Sequence, residues 1–121
     1  MVDLDHAVAA RGPKTVGVRP RVLVEHTDPW EGLATALALR EAGFAVATCP
    51  GPCPSSPCPL LAGAGCSLAD QADVIVSRLE KSPDGGAIRW CLRQRLPGTP
   101  LLTDVEPELT VERAVAAIGR A

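Results

Sequence analysis

Cys49, Cys53, Cys58 and Cys66 follow one another in the spacing C-x3-C-x4-C-x7-C. Three of them are followed directly by proline (Pro50, Pro54 and Pro59), whose ring fixes φ and works against helix, so the thiols lie along a stiff loop. The stretch from Cys49 to Ala69 carries no charged side chain, which leaves a thiolate no cation nearby in sequence to lower its pKa. A metal centre supplies that positive charge itself, with Leu60, Leu61 and Leu68 at hand to shield it from water. Soft thiolates suit zinc or an iron–sulfur cluster. The spacing matches neither the paired C-x2-C of zinc ribbons nor the usual ferredoxin runs, and its unevenness with the apolar cover leans towards a cluster. The metal reading therefore takes Cys49, Cys53, Cys58 and Cys66 as the ligands. The same residues also suit a disulfide, such as Cys49 to Cys53 or Cys58, or thiol redox work. A structural role is the third reading, since cysteine is a common small buried residue.

Few other residues offer chemistry. His26 is either a further ligand on the same rim or a solvated turn histidine. Asp28 and Glu31 read as helix-capping groups rather than catalytic carboxylates. Cys91 falls on the inner face of a helix and reads as core, and His6 has no assigned role. There is no G-x-G-x-x-G after a strand, no P-loop and no thioredoxin C-x-x-C, and no Ser-His-Asp set stands out.

The elements that must position the loop are legible from the hydrophobic pattern. Val22-Leu23-Val24 reads as a strand buried on both faces. Asp28-Pro29-Trp30-Glu31 then starts a helix: Asp28 caps, Pro29 suits the first position, and Glu31 completes a capping box. Trp30, Leu33, Ala34 and Leu37 recur at helical spacing, and Gly43 ends the helix. Phe44 to Thr48 reads as a second strand, Ser67 to Gln71 as one helical turn, and Asp73 to Ser77 as a third strand. Gly85-Gly86 opens a helix with Ile88, Cys91, Leu92 and Leu96 inward. Pro100 to Thr103 is a fourth strand, and a last helix from about Thr110 has Val111, Ala114, Val115 and Ile118 inward.

Strands alternating with helices at these lengths need crossover connections. The expected fold is α/β: a small doubly wound parallel sheet of four strands in the order 2-1-3-4. Residues 21–121 form the single domain with its Cys loop at 49–66, preceded by an arm or short helix over 1–20. Ligands of such sheets sit at the carboxyl ends of the strands. Those ends are Glu25 to Asp28, the Cys loop, Ser77-Arg78 and Thr103-Asp104, all on one rim.

The 121 residues suffice for one core, with 46% hydrophobic residues, mostly Ala, Val and Leu. Two Trp, one Phe and no Tyr leave little for base stacking, and a net charge of -2 without a basic stripe argues against nucleic acid or a membrane surface. Met1 to His6 carry two acids and no basic run, and no apolar stretch is long enough for a signal or membrane segment. The expected location is therefore the cytoplasm, where thiols stay reduced and clustered cysteines read as metal ligands or redox groups.

The order of elements resembles the receiver domain of bacterial response regulators. The stretch from Arg21-Val22-Leu23-Val24 to Phe44-Ala45-Val46 is similar to many receiver openings, and Ala72-Asp73-Val74-Ile75-Val76 resembles the strand that leads to the phosphorylated aspartate. The resemblance implies a receiver- or flavodoxin-like scaffold and, with it, a degenerate site. His26 and Thr27 stand where receivers hold Mg²⁺ with a pair of acids, and the acceptor position falls on Ser77 or Arg78. No Lys follows the fourth strand, and the chain is one strand and one helix short. The resulting expectation is a non-catalytic regulatory or adaptor module whose loop binds a metal ion or cluster. The alternatives are a thiol or iron–sulfur electron carrier and a metal-free interaction domain. A protein partner or homodimer is expected at the open edge of the Pro100–Thr103 strand or the helix from Thr110, unless Val16-Gly17-Val18 folds back to cover that edge.

Overall fold

The computed structural model describes residues 19–52 and 57–119. The expected N-terminal arm, Val16-Gly17-Val18 and Cys53 lie outside the described residues. In chain order the elements are β1 (Arg21–His26), α1 (Pro29–Glu41), β2 (Ala45–Cys49), a 3₁₀ turn (Pro59–Ala62) and α2 (Ser67–Asp70). There follow β3 (Val74–Arg78), α3 (Gly85–Arg95), β4 (Leu101–Thr103), a second 3₁₀ turn (Pro107–Leu109) and α4 (Thr110–Gly119). All strand pairs are parallel and the order is β2-β1-β3-β4, as expected.

The apolar runs Val22-Leu23-Val24 and Val74-Ile75-Val76 have no polar alternation because both sheet faces are covered. Val22, Val24, Val74 and Val76 meet Leu39, Phe44, Ala114 and Ala117 on the face covered by α1 and α4. Leu23 and Ile75 meet Leu60, Ala69, Ala72, Leu79, Ile88 and Leu92 on the face covered by α2, α3 and the first 3₁₀ turn. That turn was not expected. Proline at its first position needs no N–H partner, so Pro59 starts a single turn, which buries Leu60 while Leu61 stays exposed.

Helix α1 turns in a way its sequence did not announce. Gly32, Ala36 and Leu39 face the sheet, whereas Trp30, Leu33 and Leu37 are exposed, Trp30 at 78%. The helix is apolar nearly all round, so its pattern does not specify which side packs. Small residues decide it: a Cβ at Gly32 would lie 3.1 Å from His26 Cβ, so this side alone lets the helix close onto the end of β1. In α4 the inward residues are Thr110, Ala114 and Ala117, with Val111 and Ile118 packed partly against the core. Val115, expected inward, is 54% exposed, because the sheet beneath accepts only the small-residue side of the helix.

Candidate functional site

The strand register sets four side chains in one row across the carboxyl rim. Glu25 lies opposite Cys49 on β2 and opposite Ser77 on β3, and Ser77 lies opposite Thr103 on β4. Each is two residues beyond Ala47, Leu23, Ile75 or Leu101, so the row shares their face, the one under the Cys loop. Cys49, Cys58, Cys66 and Cys91 all pack against this same core cluster and are half-buried free thiols. Cys91 is anchored there by its S–H, which donates to the Leu60 carbonyl at 3.6 Å. The structure thus brings three of the four expected ligands to one face. Among the described residues, no three His, Cys, Asp or Glu side chains are arranged to hold a metal ion.

The fold carries charges to a loop that has none of its own. A Cβ at Gly65 would meet Arg95 Nη2 at 3.2 Å and Asp70 Oδ2 at 3.3 Å, which places both groups beside Cys66. Beside Cys49, on β1, sits Glu25, only 4% exposed. Burial pushes the Glu25 carboxyl above its ordinary pKa, and the adjacent Ser77 hydroxyl pulls the other way. The two do not form a hydrogen bond of regular geometry: Glu25 Oε1 and Ser77 Oγ are both buried with no partner among the described residues. Burial also pushes the Cys49 thiol up. The Gly51 N–H, donating to its sulfur at 3.5 Å, draws it down, while Glu25, Cys66 and Cys58 add to the rise. Beside Cys49 the rim opens into a cleft of about 260 Å³ lined by His26, Asp28, Gly32, Leu33 and Thr48.

His26 is the buried last residue of β1 rather than a solvated turn residue. Its Nδ1 accepts the Asp28 N–H at 3.0 Å and its Nε2 lies 3.2 Å from Glu31 Oε1. The expected capping box is therefore half present. The Asp28 carboxylate accepts the Trp30 and Glu31 N–H groups at 2.9 and 3.2 Å, but the Asp28 N–H goes to His26 instead of Glu31. Register also separates Ser77 from Arg78. Ser77 points into the buried face, whereas Arg78 is aligned with His26 at the rim. Arg78 Nε pairs with Glu80 Oε2 at 2.6 Å and Nη1 donates to the Val105 carbonyl at 2.9 Å, tying the loop after β3 to the loop after β4.

The sequence places Glu25 and Ser77 on the rim but gives neither a role beside the cysteines. The signal was present: an acid directly continues Val22-Leu23-Val24, a strand buried on both faces. Only the register shows that it lies beside Cys49 and Ser77.

This architecture and rim define a receiver-like α/β domain. No protein family matches the sequence, and no curated protein matches it. Among solved structures, a response regulator from Thermotoga maritima superposes with a TM-score of 0.56 at 14% identity. The match covers 84% of this chain and 99% of that one. At that identity the likeness establishes the fold, and the positions discussed above distinguish this chain within it. No helix among the described residues is long and apolar enough to cross a membrane.

Proposed function

We propose that this domain is a non-catalytic regulatory or adaptor module in which a receiver-like scaffold carries a metal-binding cysteine loop. Cys49, Cys53, Cys58 and Cys66 are the candidate ligands, for zinc or an iron–sulfur cluster, and occupancy of the loop changes contacts with a protein partner or a second copy. The observation that carries the reading is that Cys49, Cys58 and Cys66 pack against one core cluster, with Glu25, whose Oε1 has no hydrogen-bond partner among the described residues, next to Cys49. Ser77 and Arg78 give no acidic acceptor at the end of β3, and His26 and Thr27 give no acidic pair after β1, which favours a module that reads a ligand over one that transfers phosphate. Metal analysis with an absorption spectrum, on protein purified without oxygen, tests it. Stoichiometric zinc or iron is the expected result. Metal-free protein with all five thiols reactive would overturn the reading.

One observation favours a second reading, the metal-free interaction domain. Trp30, Leu33 and Leu37 form an exposed apolar stripe on α1, opposite its packed side.

A further inference from the structure

The sheet stops at β4. Among the described residues no strand pairs beyond it, and the chain passes from β4 through one 3₁₀ turn into α4, which packs on a face of the sheet rather than along its edge. The inner side of β4 is fixed by β3: the Ile75 N–H donates to the Pro100 carbonyl at 3.0 Å, with Ile75 opposite Leu101 and Ser77 opposite Thr103. In a parallel ladder of that register Pro100 and Leu102 turn their backbone groups towards β3, while Leu101 and Thr103 turn theirs outward. The N–H that Pro100 lacks is therefore an inner one. The outer edge keeps the N–H and C=O groups of Leu101 and Thr103, and no charged side chain stands along the strand to repel a partner. Asp104, at φ 56°, ends it. The strand also separates charge. At its foot a cleft of about 430 Å³ is lined by Ile75, Leu92, Leu96, Pro100 and Leu101, together with Arg93, which has no ion pair among the described residues. At its head Asp104 and Glu106 are exposed acids.

We propose that a second copy of this chain docks edge to edge on β4, antiparallel about a two-fold axis at Leu102, so that the two sheets become one. In that register Leu101 exchanges both backbone hydrogen bonds with the partner's Thr103, and Thr103 does so with the partner's Leu101, which uses every outward group. Leu102, only partly packed against the core under α4, lies directly opposite the partner's Leu102. The partner's Asp104 comes level with Pro100, beside the cleft that Arg93 lines, and symmetry makes the same contact twice. A parallel docking would instead set acid against acid and Arg93 against Arg93. Charge thus selects the antiparallel pairing. The proposal rests on the second copy named in the proposed function and not on the cysteine loop.

The test uses the full chain, reduced and with chelator present, so that neither a disulfide nor a metal contributes. Sedimentation velocity should show a monomer–dimer equilibrium that moves with concentration, as a small interface requires. A monomer at every concentration up to the millimolar range overturns the proposal and leaves the metal reading, which metal analysis tests separately, as it was. Amide exchange then locates the contact. The Leu101 and Thr103 N–H groups should slow as the dimer forms, whereas that of Leu102, already held by β3, should be slow throughout. A dimer in which both stay fast, or in which Trp30 becomes shielded instead, overturns the edge. Arg93→Glu and Asp104→Arg should each weaken dimerisation at least about tenfold, and an equimolar mixture of the two should recover a heterodimer, since each altered charge then meets its opposite. Thermal melts show that each variant is folded. Should Asp104→Arg not fold at this positive φ, Asp104→Asn, which suits that backbone, should still weaken the dimer, though less. A mixture that associates no better than either variant alone overturns the antiparallel register.

Discussion

His26 Nδ1 accepts the Asp28 backbone N–H at 3.0 Å, so the end of β1 is fastened to the start of α1 by a side chain. Asp28 in turn caps α1. The Glu31 N–H holds its carboxyl below the usual value of 3.8, somewhat against burial, with the Trp30 N–H, His26 and Lys81 adding to the lowering. A depressed carboxyl stabilises the fold fully above its unfolded pKa and loses that effect as pH falls through the lower folded value. Asp28→Ala should therefore lower the melting temperature at pH 7, and Asp28→Asn, which keeps an acceptor oxygen, should lower it less. The gap between wild type and Asp28→Asn should close as the pH is taken below about 3.8, as thermal melts across an acid series would show.

Two adjacent glycines at the start of α3 should respond in opposite ways. A Cβ on Gly85 would sit 2.3 Å from the Leu79 carbonyl oxygen, a backbone atom that cannot swing aside. Gly85→Ala should destabilise by about 1–3 kcal/mol through overpacking. Gly86 has nothing within 4 Å of a Cβ, and Gly86→Ala should stabilise by about 0.5 kcal/mol by lowering the entropy of the unfolded chain. Urea titration of both variants checks the pair, and equal effects would contradict the approach of α3 to Leu79.

Replacing Glu25 by an apolar side chain of similar length should help the metal-free fold. Glu25→Met removes a buried carboxyl whose Oε1 has no hydrogen-bond partner among the described residues. It should raise the metal-free stability at neutral pH by about 1–2 kcal/mol, read by denaturant unfolding in the presence of chelator. A loss of similar size would mean that the carboxyl is already satisfied in the folded domain.

Trp30 and Trp90 are 78% and 63% exposed, and the chain has no Tyr to complicate its fluorescence. The emission of a dilute sample should lie close to that of free tryptophan and be quenched readily by iodide. A blue shift with reduced quenching as concentration rises, retained in Trp90→Phe and absent in Trp30→Phe, would show that association covers α1.

A small phosphodonor with Mg²⁺ should leave the intact mass unchanged. Arg78 occupies the rim end of β3 and is engaged by Glu80 and Val105, and Ser77 is wholly buried. A phosphate adduct mapped to residues 77–79 would overturn this.

Alternation of strand and helix, the strand order, the helix start at Asp28-Pro29 and the rim itself were all legible in the sequence. They rest on local signals: apolar runs of strand length, capping chemistry and proline or glycine punctuation, each acting within a few residues. The clustered thiols were legible for the same reason. What only the tertiary structure decided is phase and register. Helix α1 is apolar on both sides, so the buried side was settled by how closely Gly32 and Ala36 could approach β1, and Trp30, Leu33 and Leu37 were left outside. Val115 was turned outward by the same preference for small residues against the sheet. The pairing of Glu25 with Cys49 and Ser77 joins positions that are distant along the chain and depends on parallel register, which no local pattern encodes. The loop cysteines could be seen from their spacing, but the carboxyl next to Cys49 became visible only when three strands were laid side by side.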